Sequence, residues 1–85
     1  MYPDDTVVQN IAANVRRLLQ DREISQSELA RLTTESEMNI SRVARGESVV
    51  GIGIITRIAE AFDVSIDRLV SPLPEKTLPK IANSA

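Results

Sequence analysis

The 85-residue chain has no cysteine, no histidine and no tryptophan. Without cysteine it can form neither a disulfide nor a thiolate metal site. Without histidine it lacks the usual general base and the commonest metal ligand. One phenylalanine and one tyrosine are its only aromatics, so the core must be aliphatic, drawn from a composition that is 42% hydrophobic. No apolar run approaches the ~20 residues of a membrane-spanning helix. The opening MYPDDTVVQN lacks the pattern of a secretory signal. These absences predict a soluble, cytoplasmic protein with no membrane partner, no metal and no cofactor. They also argue against an enzyme: catalysis would need a carboxylate pair or an activated serine, and no spacing proposes one.

The formal net charge is −2. Charge-driven, indiscriminate nucleic-acid binding favours a strongly basic domain, so the total counts against it. The distribution leaves specific binding open. Arg31, Arg42 and Arg45 fall within residues 25–46, whereas Asp4, Asp5, Glu60, Asp63 and Asp67 lie outside.

The length implies one domain, and the pattern is helical throughout. A first helix is predicted over Thr6 to about Asp21, capped by Asp4 or Asp5, with Ile11, Val15, Leu18 and Leu19 on one face. Arg16 and Arg17 flank that stripe and are expected in solvent. A fourth helix is expected from Ile52 to Phe62, burying Ile55, Ile58, Ala59 and Phe62, and a short fifth from Ser65 to Leu69 or Val70. Residues 71–85 hold three prolines in their first nine positions and read as an extended tail. The expected division is a domain over 1–70 and a tail over 71–85.

The informative stretch is residues 25–46, SQSELARLTTESEMNISRVARG. Ser25 and Glu28 have the spacing of a capping box, and Leu29, Ala30 and Leu32 are the expected buried side of the second helix. Thr33-Thr34-Glu35 is poor helix sequence and predicts a turn. Ser36 is the next expected cap and Gly46 the left-handed residue past the helix end. Between them Ile40, Val43 and Ala44 share the inward face, leaving Met38, Ser41, Arg42 and Arg45 outward, with Glu37 and Asn39 beside them at the N-terminal end. Two short helices joined by a tight turn, the second with a polar outer face, are the means by which a small domain places a helix in the major groove.

Three blocks at consistent separations resemble the Cro/CI-type (XRE) helix-turn-helix family of phage repressors and small bacterial regulators. They are Ile24 to Ala30, Ile40-Ser41-Arg42-Val43 followed by Arg45-Gly46, and Ile58 to Asp67; the likeness spans about residues 8–70. The resemblance implies an all-α fold of five helices, DNA binding through the third helix (36–45) and a homodimer. The chain departs from the family where glycine is usual (Thr34), where an apolar residue is usual (Glu35) and where proline is frequent in the next loop (Val50). Either the turn is looser or Glu35 bends outward. A glutamate and an arginine that often pair in relatives are both replaced, by Ala44 and Leu19. Losing one partner would strand a buried charge, whereas replacing both can be neutral or stabilising; Leu19 and Ala44 are therefore expected close together in the core.

By the same resemblance Gln26 is expected at phosphate, and Glu37, Met38 and Arg42 at the positions that most often read bases. Arg42 suits guanine O6 and N7, a pairing worth ~1–3 kcal/mol; the competing role is a surface ion pair with Glu37, worth ~0–1 kcal/mol. Glu37 could accept from cytosine N4, and Met38 could pack on a thymine methyl. Ser36, Asn39 and Ser41 complete the expected DNA surface, with Arg45 assigned to phosphate and the amides of the 47–51 loop adding contacts where Gly51 permits close approach.

Two copies on a two-fold axis reach half-sites about one helical turn (~34 Å) apart, so a homodimer on a pseudo-palindromic operator is expected, joined through Ile66, Leu69, Val70 and Leu73; the competing role, favoured for Ile66 and Leu69, is to close the core of the monomer. The first functional expectation is a sequence-specific transcriptional regulator, a repressor, whose partner is double-stranded DNA. The alternative is the antitoxin of a toxin–antitoxin pair, in which the tail (Leu73, Leu78, Ile81) binds a protein partner. A controller of restriction–modification genes would look the same in sequence as the first.

Overall fold

The computed structural model describes residues 4–47 and 51–73, with side chains from residue 6 onward. Five helices follow one another: α1 (Asp4–Arg22), α2 (Gln26–Thr33), α3 (Glu37–Arg45), α4 (Ile52–Phe62) and α5 (Ile66–Val70). No strand occurs among the described residues. α1 packs on α3 and α5, α2 on α3 and α4, and α4 on α5. No helix of the described residues is long and apolar enough to cross a membrane.

Three of the helix starts follow from serine chemistry, and α4 starts after Gly51 without a side-chain cap. Ser25, Ser36 and Ser65 each take extended backbone and accept, at 3.0 Å, the amide of the residue three positions on. Each bond satisfies one of the donors that the first helical turn leaves without a partner. α1 starts earlier than expected, so Asp4 and Asp5 lie within its first turn, not ahead of it. The capping box is half formed: Ser25 plays its part, but the Glu28 carboxylate turns to Arg31, one turn along on the exposed side.

The helix ends follow from left-handed residues. Gly46 closes α3 at φ 66°, but Glu23, Thr34 and Asp63 take the same conformation with side chains attached. Each costs about 1–2 kcal/mol relative to right-handed backbone. Each also leads a six-residue closure in which the following amide reaches back: Ile24 to Leu19 O, Glu35 to Ala30 O, Glu47 to Arg42 O and Val64 to Ala59 O, at 2.9–3.1 Å. The turn between α2 and α3 is therefore closed despite its lack of glycine.

The core is aliphatic around one ring, Phe62. Ile11, Val15, Leu18 and Leu19 of α1 meet Ile40, Val43 and Ala44 of α3 in a single cluster. Leu19 and Ala44 are both buried in it, and Arg16, one turn before Leu19, donates to Ala44 O at 2.6 Å. The α1 segment around Leu19 and the α3 segment around Ala44 thus face each other. Leu32 is not part of the buried side of α2: it is 49% exposed, and Thr33 is buried instead, its hydroxyl donating to Leu29 O at 2.8 Å. Leu29, Ala30 and Thr33 share one face, and Leu32 lies a quarter-turn or more away from it.

Asn14 is the one buried amide on the apolar face of α1. Its Nδ2 donates to Leu69 O (2.9 Å), Ser71 O (2.8 Å) and Asn10 O (3.0 Å), while Asn10 Nδ2 donates to Val70 O (3.0 Å). Two asparagines one turn apart thereby hold three successive carbonyls at the end of α5. A helix of five residues cannot persist on its own bonds; α5 is fixed by Leu69 in the core and by these amides.

Candidate nucleic-acid interface

α3 has one side in the core and the opposite side in water. Ile40, Val43 and Ala44 are buried, whereas Glu37, Met38, Asn39, Arg42 and Arg45 are exposed and Ser41 is half-buried. Met38, at 63% exposure, is a large apolar side chain held out on a helix whose inward positions are already filled.

α3 is gripped at both ends. At its C-terminus Gln9 Nε2 donates to Gly46 O at 3.0 Å and Arg16 to Ala44 O, so two α1 side chains satisfy carbonyls that the last turn leaves open. The cationic one also suits the negative end of the helix. Arg16 is thus exposed yet engaged. At the N-terminus Ser27 Oγ donates to Glu37 Oε2 at 2.9 Å. This bond ties the first turn of α2 to the first turn of α3. Gln26 itself is half-buried at the head of α2.

The charges are distributed unequally. Glu28 pairs with Arg31, Glu35 with Arg57, and Glu47 with Arg45. The Arg45 pair is two-pronged, Nε to Oε2 at 2.7 Å and Nη2 to Oε1 at 3.0 Å, and Arg45 also donates to Ser41 Oγ. The hydrogen bond from Arg45 holds the Glu47 carboxyl below its ordinary range, and the reciprocal bond raises Arg45. A phosphate reaching Arg45 must displace a carboxylate. Arg42 differs: among the described residues no hydrogen bond or ion pair engages its guanidinium, although its charge adds to the lowering of the Glu47 carboxyl, and the competing pair with Glu37 is not formed; Glu37 accepts from Ser27 instead.

Glu35 bends outward only partly. Its side chain is 13% exposed and accepts from Arg57 of α4 and from Asn39 Nδ2 of α3 at 3.1 Å. The Arg57 bond chiefly, and then the Asn39 bond, hold its carboxyl below the usual range. Sequence reading missed Glu35, Arg57, Ser27, Gln9 and Arg16 as participants. Only for Glu35 was there a signal, a carboxylate at a position where an apolar side chain is usual.

Residues 48–50, including Val50, and the tail residues Leu78 and Ile81 lie outside the described residues. Gly51 is exposed with open space around its Cα. Leu69, expected on a dimer face, is fully buried within its own protomer, where it closes the core between α1 and α4. Ile66 is 38% exposed, and Val70 and Leu73 are half-buried.

A short helix capped by Ser36 and Gly46, set across a closed turn from α2 with its apolar side down and its polar side out, defines a helix-turn-helix DNA-binding domain. The family model of the Cro/C1-type HTH DNA-binding domain matches residues 14–75, and the chain belongs to that family. Among solved structures it is similar to a hypothetical transcription factor, NHTF, from Neisseria, at 25% sequence identity and a TM-score of 0.75 over 85% of this chain and 83% of that one. No curated protein sequence matches the chain.

Proposed function

We propose that this protein is a sequence-specific transcriptional regulator, a repressor, that binds a pseudo-palindromic operator as a homodimer with α3 in the major groove. The observation that carries the reading is the outward side of α3, where Arg42 is unengaged among the described residues while neighbouring arginines are paired with carboxylates. An arginine free of intramolecular partners can offer both donors to guanine O6 and N7. Paired arginines contribute less to general attraction for phosphate. Such a surface binds indifferent DNA weakly and relies on base contacts, in keeping with the net charge of −2.

Met38 packs on a thymine methyl, Gln26 donates to phosphate at the start of α2, and Ser36, Asn39 and Ser41 line the flanks. Arg45 reaches phosphate by exchanging Glu47 for it. Glu37, fixed by Ser27, accepts from a cytosine amino group. One domain offers few cations, so two copies are needed for useful affinity. The dimer face is Ile66, Val70 and Leu73, without the buried Leu69.

Selection of sites from random duplex DNA, followed by sizing of the complex, tests the proposal. The expected result is a two-fold-related site with half-site centres about one helical turn apart, ~34 Å, and two chains per duplex. Failure to enrich any sequence at low ionic strength would overturn it.

A further inference from the structure

Glu35 occupies the turn between α2 and α3, and its carboxylate is engaged twice: by the guanidinium of Arg57 from α4 and by the side-chain amide of Asn39 on α3. An ionised carboxylate has acceptors and no donors, so the group of Asn39 that faces it must be the NH2 and not the carbonyl. Arg57 fixes the carboxylate from the other side, and Glu35 is 13% exposed at its side chain. Asn39 is exposed and stands one turn before Arg42 on the outer part of α3. Its amide is therefore held with one end against the protein, and Oδ1 is left to face away.

We propose that Glu35 is a positioning residue for base recognition: anchored by Arg57, it fixes the amide of Asn39 so that α3 presents a hydrogen-bond acceptor there, selecting a base whose major-groove edge carries an amino donor. Adenine N6 and cytosine N4 are those donors; guanine and thymine offer O6 and O4 acceptors at the corresponding positions. A freely rotating asparagine turns its NH2 or its carbonyl outward and suits either kind of edge. With Glu35 in place the choice is made before DNA arrives, so the ordering cost is not met on binding. The inference rests on the proposed placement of α3 in the major groove.

The test uses the full chain and the duplex selected from random DNA. The parent, Asn39→Ala, Glu35→Leu, Arg57→Met and the double variant Glu35→Leu/Asn39→Ala are each titrated against that duplex and against single-pair substitutions in it. The readout is the ratio of affinities for two duplexes at one position, which partial unfolding of a variant leaves unchanged. At the pair whose preference Asn39→Ala removes, a base analogue lacking the adenine N6 or cytosine N4 amino group should cost the parent about tenfold, the scale of one good base contact, and cost Asn39→Ala little. Glu35→Leu should reduce the preference at that same pair severalfold, Arg57→Met by less, and the double variant should be no less selective there than Asn39→Ala alone. A Glu35→Leu protein that keeps the parent's preference overturns the inference, as does a parent that tolerates loss of the amino group at the Asn39 pair but not loss of the carbonyl oxygen opposite it, or an Asn39→Ala variant that changes no position. If the parent selects no duplex at all, the DNA-binding reading itself falls.

Discussion

Replacing Asn14 removes two of the three side-chain hydrogen bonds that join α1 to the end of α5 and leaves that of Asn10 to Val70 O. In Asn14→Leu the carbonyls of Leu69 and Ser71, which accept from Nδ2 at 2.9 and 2.8 Å, lose their donor; Asn10 O keeps its helical bond. An unsatisfied buried acceptor costs about 1–3 kcal/mol, so the pair costs roughly 2–6 kcal/mol, less whatever the part-buried Ser71 O regains from water. A domain of this length has about 4–13 kcal/mol in all, so the loss is a large share of the whole. Each kcal/mol moves Tm by roughly 4–8 °C at this size, giving a fall of about 10 °C or more in a thermal melt followed by far-UV circular dichroism. Asn14→Asp separates hydrogen bonding from shape. Its carboxylate would face three carbonyl oxygens in a buried place, which raises the folded-state pKa above the unfolded value of ~3.9. The variant should then lose stability relative to the parent as pH rises through and above that value, and recover part of it near pH 3–4. Either a leucine variant within about 0.5 kcal/mol of the parent or an aspartate variant with no such pH trend would refute the reasoning.

Arg42→Ala should lower affinity for the selected site by about 1–3 kcal/mol and relax preference at one base pair per half-site, whereas Arg45→Ala should weaken all duplexes alike and flatten the salt slope by about one. Glu47→Gln should do the reverse of Arg45→Ala, strengthening binding to every duplex at low salt, because Arg45 no longer has a carboxylate to give up; an unchanged salt slope would contradict this. Glu23→Gly should raise stability by up to about 1 kcal/mol, since the left-handed backbone strain at φ 58° is relieved and only part is returned as unfolded-chain entropy, measured by urea unfolding. Glu35 and Glu47 have folded-state pKa values below the ordinary carboxylate range, so their contribution is present above that range and is lost as pH falls through the folded values; the acid limb of a stability–pH curve should be shallower in Glu35→Gln.

The boundaries of α3, α4 and α5 were legible because their signals are local: serine at the start of α3 and α5, Gly51 before α4, Gly46 past the end of α3, apolar residues at helical spacing between. The inward set of α3 and of α4 followed from the same spacing. Leu32 misled because hydrophobicity alone does not say which of two adjacent faces a two-turn helix buries; Thr33, with its hydroxyl satisfied by Leu29 O, occupied the inner position instead. Asn14 carried a readable warning, a polar residue in line with Ile11 and Leu18, but its partners lie 55 and 57 residues away and no local rule finds them. The same holds for the candidate site. Its residues were recognisable on the outer face of one helix, while the contacts that decide their chemistry, Ser27 with Glu37, Glu47 with Arg45 and Arg57 with Glu35, depend on how helices and turns meet. Leu69 was open to two readings, a dimer face or the core, and the core holds it.

The most direct test is an amide NMR titration of the isotopically labelled protein with its selected duplex at low ionic strength. The predicted result is that shifts concentrate at Gln26 and from Glu37 to Arg45, with Arg42 side-chain signals among the largest changes. Shifts confined to α1 and α5, or none while the duplex is bound, would contradict the placement of α3 against the bases.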